Sequence, residues 1–284
     1  MDVYLSTNCL RWDSINAIVD RMVGDGVLRI ELTGATSPAS YDEAALLRHA
    51  AAGVRLRVHN YFPPPDEPFI MNLSSPRPEI ARPTERLVRE GLRVSALLGA
   101  DCYSVHAGYG RDHLPEPDGD GFQRRMPGPS RTDEEQHRMI ARLLPDLPPG
   151  VRLALENGLP STESHLASPE AMERFLERYR DEERVGLLLD LGHLNVSART
   201  LGFDRDAAFE GLLLRHADRI FEIHVSANDG SRDTHRPTPP GSAEIGLLQR
   251  HAQALGNTAV ALEWHGCYDA ATPGLWRELS SLLG

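Results

Sequence analysis

Nine residues in this 284-residue chain are of types that bind cations and sit where a fold could bring them together. Six of them, His59, His106, Glu156, Asp190, His224 and Glu263, each lie at or near the C-terminal end of a different short aliphatic run. In every case a large side chain stands one residue back and another three back: Val58/Leu56, Val105/Tyr103, Leu155/Leu153, Leu189/Leu187, Ile223/Phe221 and Leu262/Val260. Alternate residues of a strand face opposite sides. If the large residues face outward, all six polar residues face a common centre. Six ionisable groups confined together are costly unless paired, and the usual compensation is a metal ion or a tight network of hydrogen bonds and ion pairs.

Three further donors stand close by in sequence. His193 follows Asp190 in DLGH, and Asp233 and His235 form a D-x-H pair in HVSANDGSRDTH. In an extended loop these last two face the same way, with Thr234 turned off. Five histidines and four carboxylates form an oxygen and nitrogen set suited to Zn, Mn, Fe or Mg rather than to a thiolate site. Nine donors exceed what one ion takes, so two or three divalent ions are expected. The other histidines, His49, His113, His137, His165, His216, His251 and His265, fall on predicted helices, in loops or beyond strand ends, and read as surface residues or as partners of the ligands.

The elements that must position these groups alternate from end to end. Strands are expected at 2–6, 27–33, 54–59, 102–107, 151–156, 185–190, 219–225 and 259–264. Amphipathic helices are expected near 13–24, 41–52, 77–99, 131–144, 168–181, 204–217, 244–255 and 273–283. Eight strands, each followed by a helix, predict an α/β fold, a (β/α)8 TIM barrel forming one domain over 1–284. An open doubly wound sheet is the rival, but the first strand lacks a glycine-rich phosphate turn. Two long loops, 60–69 (NYFPPPDEPF) and 107–130, follow the third and fourth strands and would lie over the catalytic face as a lid. One layer below the ligands, the same phase places Arg57 and Glu222 on the third and seventh strands, where they should pair with Ala154 leaving room beside them.

Composition narrows the chemistry. The net charge of -11 argues against a nonspecific nucleic-acid binder. Every formally cationic side chain is arginine, which excludes a lysine Schiff base or a lysine-dependent phosphate loop. Cys9, Cys102 and Cys267 show no paired spacing. The start, MDVYLSTNCLRWD, lacks a basic and then apolar leader pattern, and no apolar run reaches membrane-spanning length, so a cytoplasmic location with no membrane partner is expected.

Several of these segments together resemble the xylose isomerase-like barrel superfamily, and within it the endonuclease IV-like branch. The resemblance runs from residue 54 to 266 and rests on VHN, FIMNLSSP, SVHAG, LALEN, LLLDLGH, IHVSANDGSRDTH and ALEW. It implies that His59, His106, Glu156, Asp190, His193, His224, Asp233, His235 and Glu263 hold a trinuclear metal cluster. The sequence departs from the DNA-repair enzymes in the lengthened, proline-rich NYFPPPDEPF segment, in the long loop after His106, and in PPGSAEIG at 239–246. Because the substrate-facing surface is what differs, the first expectation is a sugar or sugar-phosphate isomerase or epimerase acting on a small polar substrate. There Glu156 and Glu263 serve as ligand and base, and His193 orients substrate oxygens. An endonuclease IV-like phosphoesterase is the alternative, and a multinuclear non-haem iron oxidative enzyme the third. A barrel that binds without catalysis is the reading from outside enzymology, and an intact ligand set weighs against it.

Overall fold

The aliphatic runs do form strands, and they close. In the computed structural model, which describes residues 1–10, 14–34, 40–67, 69–115, 122–128 and 130–284, eight strands build a parallel barrel: β1 Asp2–Ser6, β2 Arg29–Leu32, β3 Arg55–His59, β4 Cys102–His106, β5 Arg152–Glu156, β6 Val185–Asp190, β7 Ile220–Val225 and β8 Ala259–Leu262. Each strand pairs with its neighbours in sequence, and β8 returns to β1 through Asp2–Ala259 to Leu5–Leu262. Closure leaves the barrel itself without an edge strand.

The outward face of the strands packs on the helices. Leu56, Val58, Tyr103, Val105, Leu153, Leu155, Leu187, Leu189, Ile223, Val260 and Leu262 all belong to one buried apolar cluster with the helix residues. The Tyr103 ring lies so close to α3 (Pro78–Leu98) that a Cβ on Gly91 would stand 2.4 Å from it. Phe221 departs from the expected phase. The register of β6 against β7 shifts there, with Leu187 opposite Ile220 and Leu188 opposite Glu222, leaving Phe221 as the extra residue of a bulge. Its ring packs with Cys102, Ala154 and Leu188, and Arg152 lies over it. Gly186 makes this possible, since a Cβ there would fall 2.6 Å from the ring.

Helices α1 (Ile15–Gly24), α2 (Glu43–Ala51), α4 (Glu134–Leu143), α5 (Pro169–Arg178), α7 (Arg205–His216) and α10 (Thr272–Leu283) lie where periodicity places them. The expected 244–255 helix is divided into α8 (Ala243–Arg250) and α9 (Ala252–Leu255). The sequence reading missed α6, Leu191–Leu201, which begins directly after β6 with Asp190 as its cap: Asp190 Oδ1 accepts from His193 N at 2.6 Å. A short strand pair, His113–Pro115 with Phe122–Arg125, was also unforeseen and folds the long loop after β4 into a hairpin. Residues 116–121 and 129 of that loop, and Pro68 of the 60–69 loop, lie outside the described residues, so the expected lid is traced only in part.

The barrel floor holds the expected ion pair. Arg57 Nε donates to Glu222 Oε1 at 2.7 Å with both side chains buried, and Nη1 reaches Asp101 Oδ1 at 2.6 Å, a partner not anticipated. Among the described residues, no helix is long and apolar enough to cross a membrane.

Candidate metal centre

The C-terminal ends of β3 to β8 bring six of the nine donors to one place. Glu156, Asp190, His59, His224 and Glu263 are buried there, and His106 is partly exposed at the rim. His193 arrives from the first turn of α6. Asp233 and His235 come from the loop after β7, not as an extended pair but through a turn in which His235 has φ 41. They converge nonetheless, His235 Nε2 lying 2.5 Å from Asp233 Oδ2.

Three groups are built from these nine residues alone, two of them sharing Glu156, and two more bring in Glu31 (with His59 and His224) and His265 (with His235 and Glu263). His59 Nε2 and His106 Nε2 each stand 3.4 Å from the same oxygen, Glu156 Oε2. His193 Nε2 and His235 Nε2 both face Asp233 Oδ2, the former at 3.1 Å. Between them, Glu156, Asp190, His224 and Glu263 offer ligand atoms all within 4.8 Å of one another.

Each histidine is oriented by a bond on its far nitrogen. His59 Nδ1 meets Ser104 Oγ at 3.0 Å, His106 Nδ1 meets Tyr109 OH at 2.9 Å, and His193 Nδ1 donates to the Asn157 carbonyl at 2.8 Å. His235 Nδ1 donates to the Glu263 carbonyl at 3.2 Å, and His224 Nε2 bonds Glu31 Oε2 at 2.8 Å. Outer partners of this kind fix ring and tautomer in metal sites. Asn157 also exchanges two bonds with the Asp190 backbone, extending the β5–β6 pairing past its last rung.

The carboxylates are the under-satisfied members. Both oxygens of Glu156, Asp190 Oδ2 and Asp233 Oδ1 are buried without a hydrogen-bond donor. Buried orphan acceptors call for an unseen partner, and here they lie among imidazole nitrogens with their far sides already engaged. The residues therefore fit a cluster of divalent cations.

Electrostatics in the cation-free chain carry the same message. Burial works against charge on Glu156, yet His106, His193 and His59 hold its carboxyl down at about 2. Burial pushes Asp190 up to about 6 and His59 down to about 4. Burial also opposes charge on His193, His224 and His235, but neighbouring carboxylates outweigh it; His193 and His224 are held above the ordinary histidine range, and His235 stands at about 9. Protons trapped among carboxylates do the neutralising that cations would do.

The chain matches the family described as xylose isomerase-like TIM barrel over residues 22–281. It belongs to that family. Among curated relatives in sequence is a "UPF0276 protein" of Rhizorhabdus wittichii, 35% identical over 119 residues. That match spans 40% of this chain and 40% of the relative, so it bears on part of each protein. Among solved structures, a D-tagatose 3-epimerase-like protein superposes with a TM-score of 0.71 at 15% identity, covering 100% of this chain and 98% of the other. Endonuclease IV from Thermus thermophilus does so with 0.64 at 15% identity, covering 100% and 99%. At such identity these likenesses establish the xylose isomerase-like fold and no more.

Sequence reasoning missed the residues that hold the donors in place. Glu31 repeats the telltale phase, with Ile30 before it, and could have been found by applying the same pattern to β2. Asn8, which donates to Glu263 Oε1 at 3.2 Å, and Ser104, Tyr109 and Asn157 carried no such signal. Of the histidines set aside, His265 stacks on His235 with ring centroids 3.8 Å apart, at the exposed edge of the site. His113 and His137 are buried, the first edge-on to Tyr109 and the second bonded to Tyr179 OH at 3.0 Å. Each is covered by a neighbouring aromatic, so neither is a surface residue, and His113 touches the tyrosine that bonds His106.

Proposed function

We propose that this chain, as a single barrel domain over 1–284, is a multinuclear divalent-metal enzyme acting on a small polar, anionic substrate, and that its reaction is cleavage of a phosphoester-type bond. The observation that carries the reading is the convergence of His59 and His106 on one oxygen of Glu156, beside a second convergence of His193 and His235 on Asp233. These are donors that a one-ion isomerase has no use for. Bound zinc, manganese or iron would supply Lewis acidity and an activated water at neutral pH. The protein's own residues supply the rest. Glu156, held ionised and shared between two groups of donors, would help to hold two ions and is poorly placed to be a free base. Glu263, kept in line by Asn8, orients His235 through its backbone carbonyl. Three divalent ions would bring more positive charge than the four ligand carboxylates and Glu31 remove, so an otherwise acidic chain would present a cationic focus to an anionic substrate.

Isomerisation or epimerisation of a sugar or sugar phosphate is the second reading. It is favoured by the middle group, where Glu156, Asp190, His224 and Glu263 offer ligand atoms within 4.8 Å of one another, so that one carboxylate could hold an ion while the other moves a proton.

Metal content decides between them. Two or three equivalents per chain, with hydrolysis of a small phosphoester such as p-nitrophenyl phosphate or its diester, support the first reading. A single equivalent with epimerisation of a ketose moves the assignment to the second. Iron with oxygen uptake displaces both, and nicking of abasic-site DNA would make the substrate a nucleic acid.

A further inference from the structure

One buried acid near the centre has no place among the nine donors. Glu31, on β2, is fully buried between Ile30 and Leu32, and its Oε2 lies 2.8 Å from His224 Nε2. Its other oxygen is within 3.5 Å of Thr33 Oγ1, which sits 3.2 Å from Ser6 Oγ. Thr7 Oγ1 in turn accepts from Thr33 N at 2.9 Å. Glu31 is thus pinned by the ends of β1 and β2, the two strands that contribute none of the nine donors.

The histidine that it holds is the odd one of five. His59, His106, His193 and His235 all turn Nε2 toward a carboxylate of the nine, and their Nδ1 atoms meet Ser104 Oγ, Tyr109 OH and the carbonyls of Asn157 and Glu263, with Glu156 Oε1 also 3.1 Å from His193 Nδ1 and Glu263 Oε2 3.4 Å from His235 Nδ1. His224 is reversed. Its Nδ1 stands 3.2 Å from Glu263 Oε2 and 3.9 Å from Asp190 Oδ2, and its Nε2 is given to a carboxylate.

We infer that Glu31 is the positioning residue of the middle metal position, fixing His224 with its proton on Nε2 and Nδ1 turned inward as ligand. A carboxylate behind an imidazole raises its strength as a donor, so Glu31 would strengthen His224 as a ligand. The middle position, with Glu156, Asp190 and Glu263 oxygens within 4.8 Å of one another and Glu31 behind, is also richest in oxygen, which suits a harder ion than the histidine-rich flanks do. This inference rests on the metal reading of the site.

The test compares the full chain with Glu31→Gln and Glu31→Ala, each stripped with chelator and reloaded with zinc or with manganese(II). Metal per chain is measured by elemental analysis, and affinity by competition with a chelating dye. In Glu31→Ala, one ion per chain should weaken about tenfold or more while the others hold. Glu31→Gln keeps an acceptor for Nε2–H without the charge and should fall between. Long-range proton–nitrogen spectra of the zinc-loaded wild type should show His224 alone among the ligands with Nε2 protonated. Wild-type affinity for every ion in both variants would overturn the inference, as would equal weakening of all ions with a matching drop in the melting temperature of the stripped protein. A wild type that takes up no metal would overturn the metal reading itself, a failure recognisable before any variant is made.

Discussion

Arg57 Nε lies 2.7 Å from Glu222 Oε1 in the barrel floor, two residues before His59 on β3 and two before His224 on β7. The pair thus sits directly beneath two of the donors. Burial alone would raise the Glu222 carboxyl, but Arg57 outweighs it and the group titrates below its ordinary 4.5. A depressed carboxylate contributes stability that is present above its unfolded pKa and is lost as pH falls through its folded one. Glu222→Gln should therefore lower stability near neutrality, and Glu222→Ala, which leaves Arg57 more poorly compensated, should cost about 3–5 kcal/mol. The gap between wild type and Glu222→Gln should narrow as pH drops below 4.5. Urea unfolding across pH 3 to 7 checks this; a gap that does not change with pH would separate Glu222 from the acid response.

The shared oxygen of Glu156 makes some substitutions worse than others. His106→Ala and Asp190→Ala should each lower metal content and activity together. Glu156→Gln should lose more than one equivalent, because two groups of donors depend on it. Full activity in the His106 or Asp190 variant would undo the site assignment.

Stability of the stripped protein should fall on the alkaline side. His235, near 9 in the absence of cations, is charged at neutrality between Glu263 and Asp233. A raised histidine contributes stability fully present below its unfolded value of 6.5 and lost as pH rises through 9. Metal loading must displace such protons. The melting temperatures of loaded and chelated protein should therefore diverge between pH 6.5 and 9, and loading at pH 7 should release protons, measurable by calorimetry in buffers of differing ionisation enthalpy. Parallel melting curves over that range would contradict the trapped-proton account.

The first turn of the long loop after β4 is held by a clasp that can be opened. Asp112, fully buried, accepts from Asn72 Nδ2 at 2.9 Å and Arg131 Nη2 at 2.5 Å, with Arg77 Nε at 3.2 Å. Asn72 also takes the backbone N–H of Tyr109, whose hydroxyl meets His106. Asp112→Ala should raise amide exchange at Tyr109–Asp112 about tenfold or more with metal content preserved. Unaltered exchange would show that the clasp does not hold the loop.

How much of this was readable in advance follows from how local each cause is. The barrel and the six strand-end donors were legible because alternation is a two-residue rule, and the outward neighbours, such as Leu153 and Leu155, obey it. Phe221 broke the rule because a bulge depends on the partner strand and on the room that Gly186 leaves, neither of which is visible in FEIHV. Helix α6 was missed since Asp190 is at once the last residue of a strand, a ligand candidate and a helix cap, with no turn to mark the boundary. His235 reached its place through a left-handed backbone rather than the extended one assumed, and only the contacts around Asp233 determine that.

Donors arriving from six consecutive strands have a mechanical corollary. Ions seated among them would fasten β3 through β8 at one rim, as a hoop holds a cask, while the Arg57–Glu222 pair spans the opposite end. Filling the centre and completing the cylinder would then be one event, and a chain starved of metal would loosen first at the rim where substrate enters.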